Sequence, residues 1–228
     1  MTEKEGLIWF KSQFRVPVQA AVAGTPFTVD LICAIAMQES YGDAWGLIFK
    51  TMPVAEVLKR CVGDTLDFPS RSASAFPKNK AALIAPSIPN GQAMFDIARD
   101  ALLTLAGFNH GYSGAAHNPD KFCHGYGIFQ YDIQFFRKIN PDFFLQKKWF
   151  DFDQCLALCL AELKSVAGSL YPGKTSLTDE QLTYVAIGYN IGASKVHVGG
   201  GFKQGHKSDG IFYGENIDRY LRMAEAIP

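Results

Sequence analysis

In the stretch LICAIAMQESYGDAWG, residues 31 to 46, a nearly apolar run ends in a glutamate. On a helix, Leu31, Ile32, Ile35 and Ala36 form one stripe, and Glu39 extends it four residues beyond Ile35. The carboxylate then lies on the face that the helix buries. It also sits in the last turn, where the macrodipole disfavours negative charge. Burial and dipole both penalise the ionised form, so both raise the pKa. A carboxylic acid that keeps its proton near neutrality can give it to the leaving oxygen of a glycosidic bond. A structural glutamate, paired with a buried arginine or capped by backbone amides, fits the same stretch, which alone does not separate the two.

Two further stretches bear on the choice. HGYGIFQYD, at 124 to 132, places glycines at 125 and 127 before Gln130. TYVAIGYNIGASKV, at 183 to 196, runs a helical pattern into Gly188-Tyr189-Asn190 and Gly192. With Glu39-Ser40 these resemble, in order, the three signatures of the lytic transglycosylase and goose-type lysozyme group. Those are a helix ending in Glu-Ser, a Gly-x-x-Gln segment, and an Ala-Tyr-Asn-like segment followed by glycine. The closing YGENIDRYL is similar to the group's tail, an acid followed by tyrosine at short spacing. The chain departs from the group at Gly188 and in the long segment that separates Glu39 from Gly127.

The resemblance implies one lysozyme-like catalytic domain over 1–228, with an inserted segment at 47–118. It implies cleavage of β-1,4 bonds in an N-acetylhexosamine polymer, with peptidoglycan as first choice and chitin-type chains as second. Glu39 would be the general acid, with Ser40 hydrogen-bonded nearby. Gly127 and Gln130 would line the groove beside the cleaved sugar, Tyr189 would orient the Glu39 carboxyl, and Asn190 would help bind an N-acetyl sugar. Asn190 also suits a plain helix C-terminus before Gly192. No cofactor and no metal are implied.

An inverting hydrolase needs a second carboxylate as base, whereas a lytic transglycosylase closes the sugar on its own 6-hydroxyl. Asp132 matches the position of an aspartate in goose-type lysozymes, and Asp120 is a second candidate. Asp132 equally suits the N-cap of a helix over IQFFRKIN, so hydrolysis and anhydro-sugar formation both stay open. Asp43, four residues after Glu39, is a third candidate, but after Gly42 a turn residue is the better reading. Tyr41, Trp45 and Tyr131 are the candidates for stacking on sugar rings. Of Phe135-Phe136 and Trp149-Phe150, one of each pair is expected to face a core.

Competing motifs fit less well. Gly168–Thr175, GSLYPGKT, satisfies the Walker A pattern and would make the protein an ATPase. A phosphate loop needs an apolar strand before it and a helix starting at its lysine. Here an amphipathic helix precedes the loop, Pro172 removes an amide donor, and the next helix is capped only at Thr178. His117, Cys123 and His124 lack the paired spacing of zinc ligands. Cys155 and Cys159 read as core on one helical face. A glycan-binding or assembly module without turnover is the other alternative.

The elements that must position these residues are mostly helices. Thr25-Pro26 suggests a start for the helix that reaches Glu39. Asn90 suggests a cap for GQAMFDIARDALLTLA, which Gly107 ends. DFDQCLALCLAELKSVAG repeats the pattern, Thr178 and Gln181 form a capping-box signature, and ENIDRYLRMAEA suggests a last helix. Four prolines break residues 67–91 and leave room for one short helix. GGGFKQGHKSDG reads as a mobile lip, with His206 a solvated loop residue. The expected class is all-α, or mostly helical α+β if a hairpin hides in the long loops.

The chain of 228 residues supports one sizeable core. Twenty-two basic residues balance twenty-two acidic ones, so no nucleic-acid or membrane-surface footprint is expected. No apolar run is long enough for membrane insertion. The first residues lack the apolar stretch of a secretory signal. Cytoplasmic synthesis is expected, with a phage lysin, an injected effector or another non-standard route as ways to reach a cell wall. Five cysteines leave one unpaired, which favours reduced thiols.

Overall fold

The computed structural model describes residues 2–65 and 76–228. Along them run α1 (Glu3–Val22), α2 (Val29–Ala36), a π-helical turn (Met37–Tyr41), α3 (Val54–Lys59), β1 (Val62–Gly63), α4 (Lys80–Leu83), α5 (Gly91–Ala106) and α6 (Ser113–His117). Then come β2 (Gly125–Tyr126), β3 (Tyr131–Asp132), α7 (Pro141–Leu145), α8 (Phe152–Leu170) and α9 (Asp179–Ile191). A hairpin of β4 (Lys207–Ser208) and β5 (Ile211–Phe212) leads into α10 (Tyr213–Glu225). The protein is mostly helical, with two small antiparallel sheets. Among the described residues, no helix is long and apolar enough to cross a membrane.

Helix ends follow side-chain chemistry. Thr178 and Gln181 cap α9 reciprocally, as expected, and Thr2 and Glu5 do the same for α1. α2 starts later than Thr25-Pro26 suggests: Thr28 Oγ1 accepts from Leu31 N and is the cap. Thr25 instead donates to the Val22 carbonyl and closes the turn after α1. Asn90 precedes α5 as expected, but in the left-handed region with no side-chain cap bond; asparagine tolerates that conformation. α4 is a short helix in the proline-broken stretch, of which residues 67–75 lie outside the described residues.

The chain divides into two compact units, 1–39 with 156–228, and 40–155. The segment 47–118 lies within the second. In the first unit, α10 packs on α2 and α9, and α1 packs on α2. Leu7, Phe10, Leu31, Ile35, Val185 and Ile217 are fully buried there. Buried Lys11 pairs with Asp30 at 2.6 Å and donates to the carbonyls of Ala224 and Ile227 at 2.6 and 2.5 Å. One ammonium thereby joins α1 to the Ala224 carbonyl at the end of α10 and to the Ile227 carbonyl just beyond it.

The second unit is built on a three-stranded sheet in the order β1-β2-β3, with Val62 opposite Tyr126 and Gly125 opposite Asp132. Its core is aromatic: Phe122, Tyr126, Phe129, Phe136, Phe143, Phe144 and Trp149 are buried. Phe136 and Trp149 are thus the inward members of their pairs. All five cysteines are free and buried, which agrees with the reading of Cys155 and Cys159 as core.

Candidate functional site

Glu39 lies in the π-helical turn that continues α2. A π turn inserts a residue into the helical register, and such turns recur at functional sites. The carboxyl is half-buried. Tyr213, the first residue of α10, donates its hydroxyl to Glu39 Oε1 at 2.7 Å. Burial pushes the Glu39 pKa up to about 7, and the Tyr213 hydrogen bond, which favours the ionised form, opposes the rise without cancelling it. The Tyr213 phenol is itself held well above its ordinary pKa, first by burial and then by the Glu39 charge, so it stays a donor.

Tyr189 is the neighbouring phenol on α9. Burial raises its pKa, with smaller contributions from Cys159 and Glu39. Tyr213 makes a direct hydrogen bond to Glu39, and Tyr189, expected to orient the carboxyl, stands close enough to feel its charge. Asn190 Oδ1 accepts from the backbone N–H of His206 at 2.9 Å, so its side chain anchors the glycine-rich loop. The expected mobile lip is a stapled loop. Gln204 Oε1 accepts from His197 N at 2.8 Å, and its Nε2 donates to the carbonyls of His197 and Gly201 at 2.9 and 2.7 Å. Gly201 N donates to Tyr184 Oη at 3.0 Å.

In the second unit, Ser40 Oγ donates to the Ile128 carbonyl at 2.6 Å and is buried. Ser40 therefore ties the π turn to the Gly127–Gln130 bend instead of facing a ligand. Gly127 has φ +79°, and a Cβ there would lie 2.5 Å from Cys155 Sγ; close packing accounts for the glycine, and it lines no open surface. Gln130 takes φ +52° and its Nε2 donates to the Gly127 carbonyl at 2.9 Å. Its Oε1 fills the space that a Cβ on Gly125 or Gly63 would take. The Gly-x-x-Gln signature here is a self-bonded turn seated on two strand glycines.

The stacking candidates divide. Trp45 is fully buried, packed edge-on to Tyr41 at 4.9 Å and to Phe49 at 6.0 Å. Tyr41 is buried in the same cluster, where a Cβ on Gly46 would collide with it. Neither ring presents a face to a sugar, because each completes a small aromatic core. Tyr131 is half-exposed but already stacked on Phe135 at 4.7 Å.

The aspartates have structural partners. Asp132 Oδ1 accepts from Gln134 N at 2.6 Å and caps a 3-10 turn over Ile133–Phe136, the alternative its sequence allowed. Asp120 is exposed and pairs with Lys80 at 2.9 Å. Asp43 accepts on its carbonyl from Asn109 Nδ2 at 2.8 Å. Gly168, Ser169 and Leu170 of the Walker-like stretch finish α8, and the next helix opens only at Asp179; the strand-loop-helix cradle is missing there. His124 is buried and stacked on Phe122 at 4.7 Å. Among the described residues no three His, Cys, Asp or Glu side chains are grouped to hold a metal ion.

Tyr213 and Gln204 escaped the sequence reading. Tyr213 stands at the head of YGENIDRYL, so the tail resemblance held the signal, but nothing local marks its partner. In comparisons with known proteins, no family model, curated protein or solved structure gave a significant match to the chain.

Proposed function

We propose that this protein cleaves β-1,4 bonds in a glycan of N-acetylhexosamine units, with Glu39 as general acid. The observation that carries the reading is a half-buried carboxyl whose pKa is pushed up to about 7, held by a phenol that cannot easily ionise. Such a group is protonated in a large fraction of molecules near neutrality and can still release its proton, which suits donation to a leaving oxygen. The order of the Glu-Ser, Gly-x-x-Gln and Tyr-Asn segments adds to it. Tyr213 fixes the carboxyl, and Ser40 fixes the backbone that follows it.

The partners of Asp132 and Asp120 favour an outcome without a protein base, in which the sugar's own 6-hydroxyl closes on the oxocarbenium-like centre and leaves an anhydro end. Mass spectrometry of products from peptidoglycan and from chito-oligosaccharides decides the matter. Anhydro ends from wild type and none from Glu39→Gln are expected. Reducing ends would make the protein a hydrolase and bring Asp132 back as base. Binding without cleavage would leave a non-catalytic glycan module.

A further inference from the structure

The loop between α9 and α10 carries Lys195, His197, Lys203, His206 and Lys207 against one acid, Asp209, in the turn between β4 and β5. In a chain whose formal charges cancel, this is a local excess of positive charge. Two side-chain amides bond its backbone: Gln204 staples residues 197 to 204, and Asn190, on α9, holds His206 N. Its cations are turned outward, with Lys203, His206 and Lys207 exposed. Lys207 is braced over the Phe212 ring at 4.4 Å.

The loop is also fastened to the acid's own support. Tyr213 N donates to the His206 carbonyl at 2.9 Å and Gly214 N to the Gln204 carbonyl at 3.1 Å. Gly205 has φ +87°, and a Cβ there would stand 2.6 Å from Tyr213 Cβ, so only glycine permits this approach. Since Tyr213 reaches Glu39 through its hydroxyl, residues 204–206 lie one side chain away from the proposed proton donor. Bracing the backbone that carries the cations lowers the ordering cost of binding an anion.

Resting on the glycan-cleaving reading, we infer that this loop reads carboxylate groups on the glycan, with Lys203 and Lys207 as specificity-determining side chains. The protein then selects acidic wall glycan over neutral chitin-type chains. The carboxylate could belong to the lactyl ether of muramic acid or to an attached peptide, and the two sources are separable.

The test is calorimetric binding to Glu39→Gln, which isolates recognition from turnover. The ligands are chitotetraose, a tetrasaccharide alternating N-acetylglucosamine with N-acetylmuramic acid, and the same tetrasaccharide carrying its peptides. At low salt, the acidic ligands should bind about fivefold or more tighter than chitotetraose, in line with one or two exposed ion pairs. Adding Lys203→Gln and Lys207→Gln should bring all three ligands level. Adding Lys4→Gln and Lys164→Gln, the same charge change on the exposed faces of α1 and α8, should not. A preference confined to the peptide-bearing ligand assigns the carboxylate to the peptide. Equal binding of neutral and acidic ligands, no binding of the acidic ones, or a preference that survives loss of both loop lysines overturns the inference. Cleavage by wild type is scored separately: selective binding without cleavage removes the role of Glu39 and leaves the loop's role standing.

Discussion

Replacing Glu39 by glutamine should stabilise the protein at alkaline pH, and the size of the effect follows from the site. In the unfolded chain the carboxyl titrates near its ordinary value of 4.5, and in the folded protein near 7. Below the lower value both states hold the proton and Glu39 contributes no pH dependence. Between the two values the unfolded chain releases the proton while the folded protein retains it. The folded state then binds more protons, so stability falls as pH rises. The shift corresponds to about 3 kcal/mol, and residual solvent access reduces it to about 2–3 kcal/mol. Glu39→Gln has no such penalty, and its amide oxygen can still accept from Tyr213. Urea denaturation of both proteins at about pH 4 and about pH 8.5 should show the variant gaining about 2–3 kcal/mol on wild type across that range. A constant difference, or a wild type that gains on the variant as pH rises, would mean that the carboxyl is ionised and paired, and the reasoning would fail.

Tyr213→Phe removes the bond that favours the ionised carboxylate. The Glu39 pKa should therefore climb above 7 by about one unit, read by infrared difference titration against Glu39→Gln, while cleavage falls about tenfold as the carboxyl loses its orientation. Ser40→Ala should cost about 1–2 kcal/mol in urea denaturation by leaving the buried Ile128 carbonyl without its donor. Gly127→Ala should cost more than Ser40→Ala, about 2–4 kcal/mol, because positive φ and the contact with Cys155 act together. Asp120→Asn should change stability by less than about 1 kcal/mol, since its ion pair with Lys80 is exposed, and should leave product chemistry unchanged.

What was legible in the sequence was local. The Thr178–Gln181 box, the glycine after α5, and the stripe that carries Glu39 onto a burying face each depend on neighbours within one or two turns. The raised pKa of Glu39 followed from the burial that this stripe implies. The π turn was not legible, because widening a helix by one residue leaves no mark in MQESY and depends on what packs around it. Tyr213 and Glu39 are separated by most of the chain, as are Val62 and Tyr126, and no periodicity joins such pairs. Trp45 looked available because it lies near the acid in sequence, yet Tyr41 and Phe49 enclose it. Gln204 sits among glycines that read as freedom, whereas its amide closes the loop. The extended α1 went unmarked, although Leu7, Phe10, Phe14 and Val18 keep helical spacing around buried Lys11.

The claim that a single proton on Glu39 drives glycan cleavage is tested most directly by titrating that carboxyl and the reaction side by side. The alkaline limb of kcat/KM for wall glycan should turn at the same pH, near 7, at which the infrared band of the protonated Glu39 disappears. Cleavage that continues unchanged through the loss of that band would contradict the account.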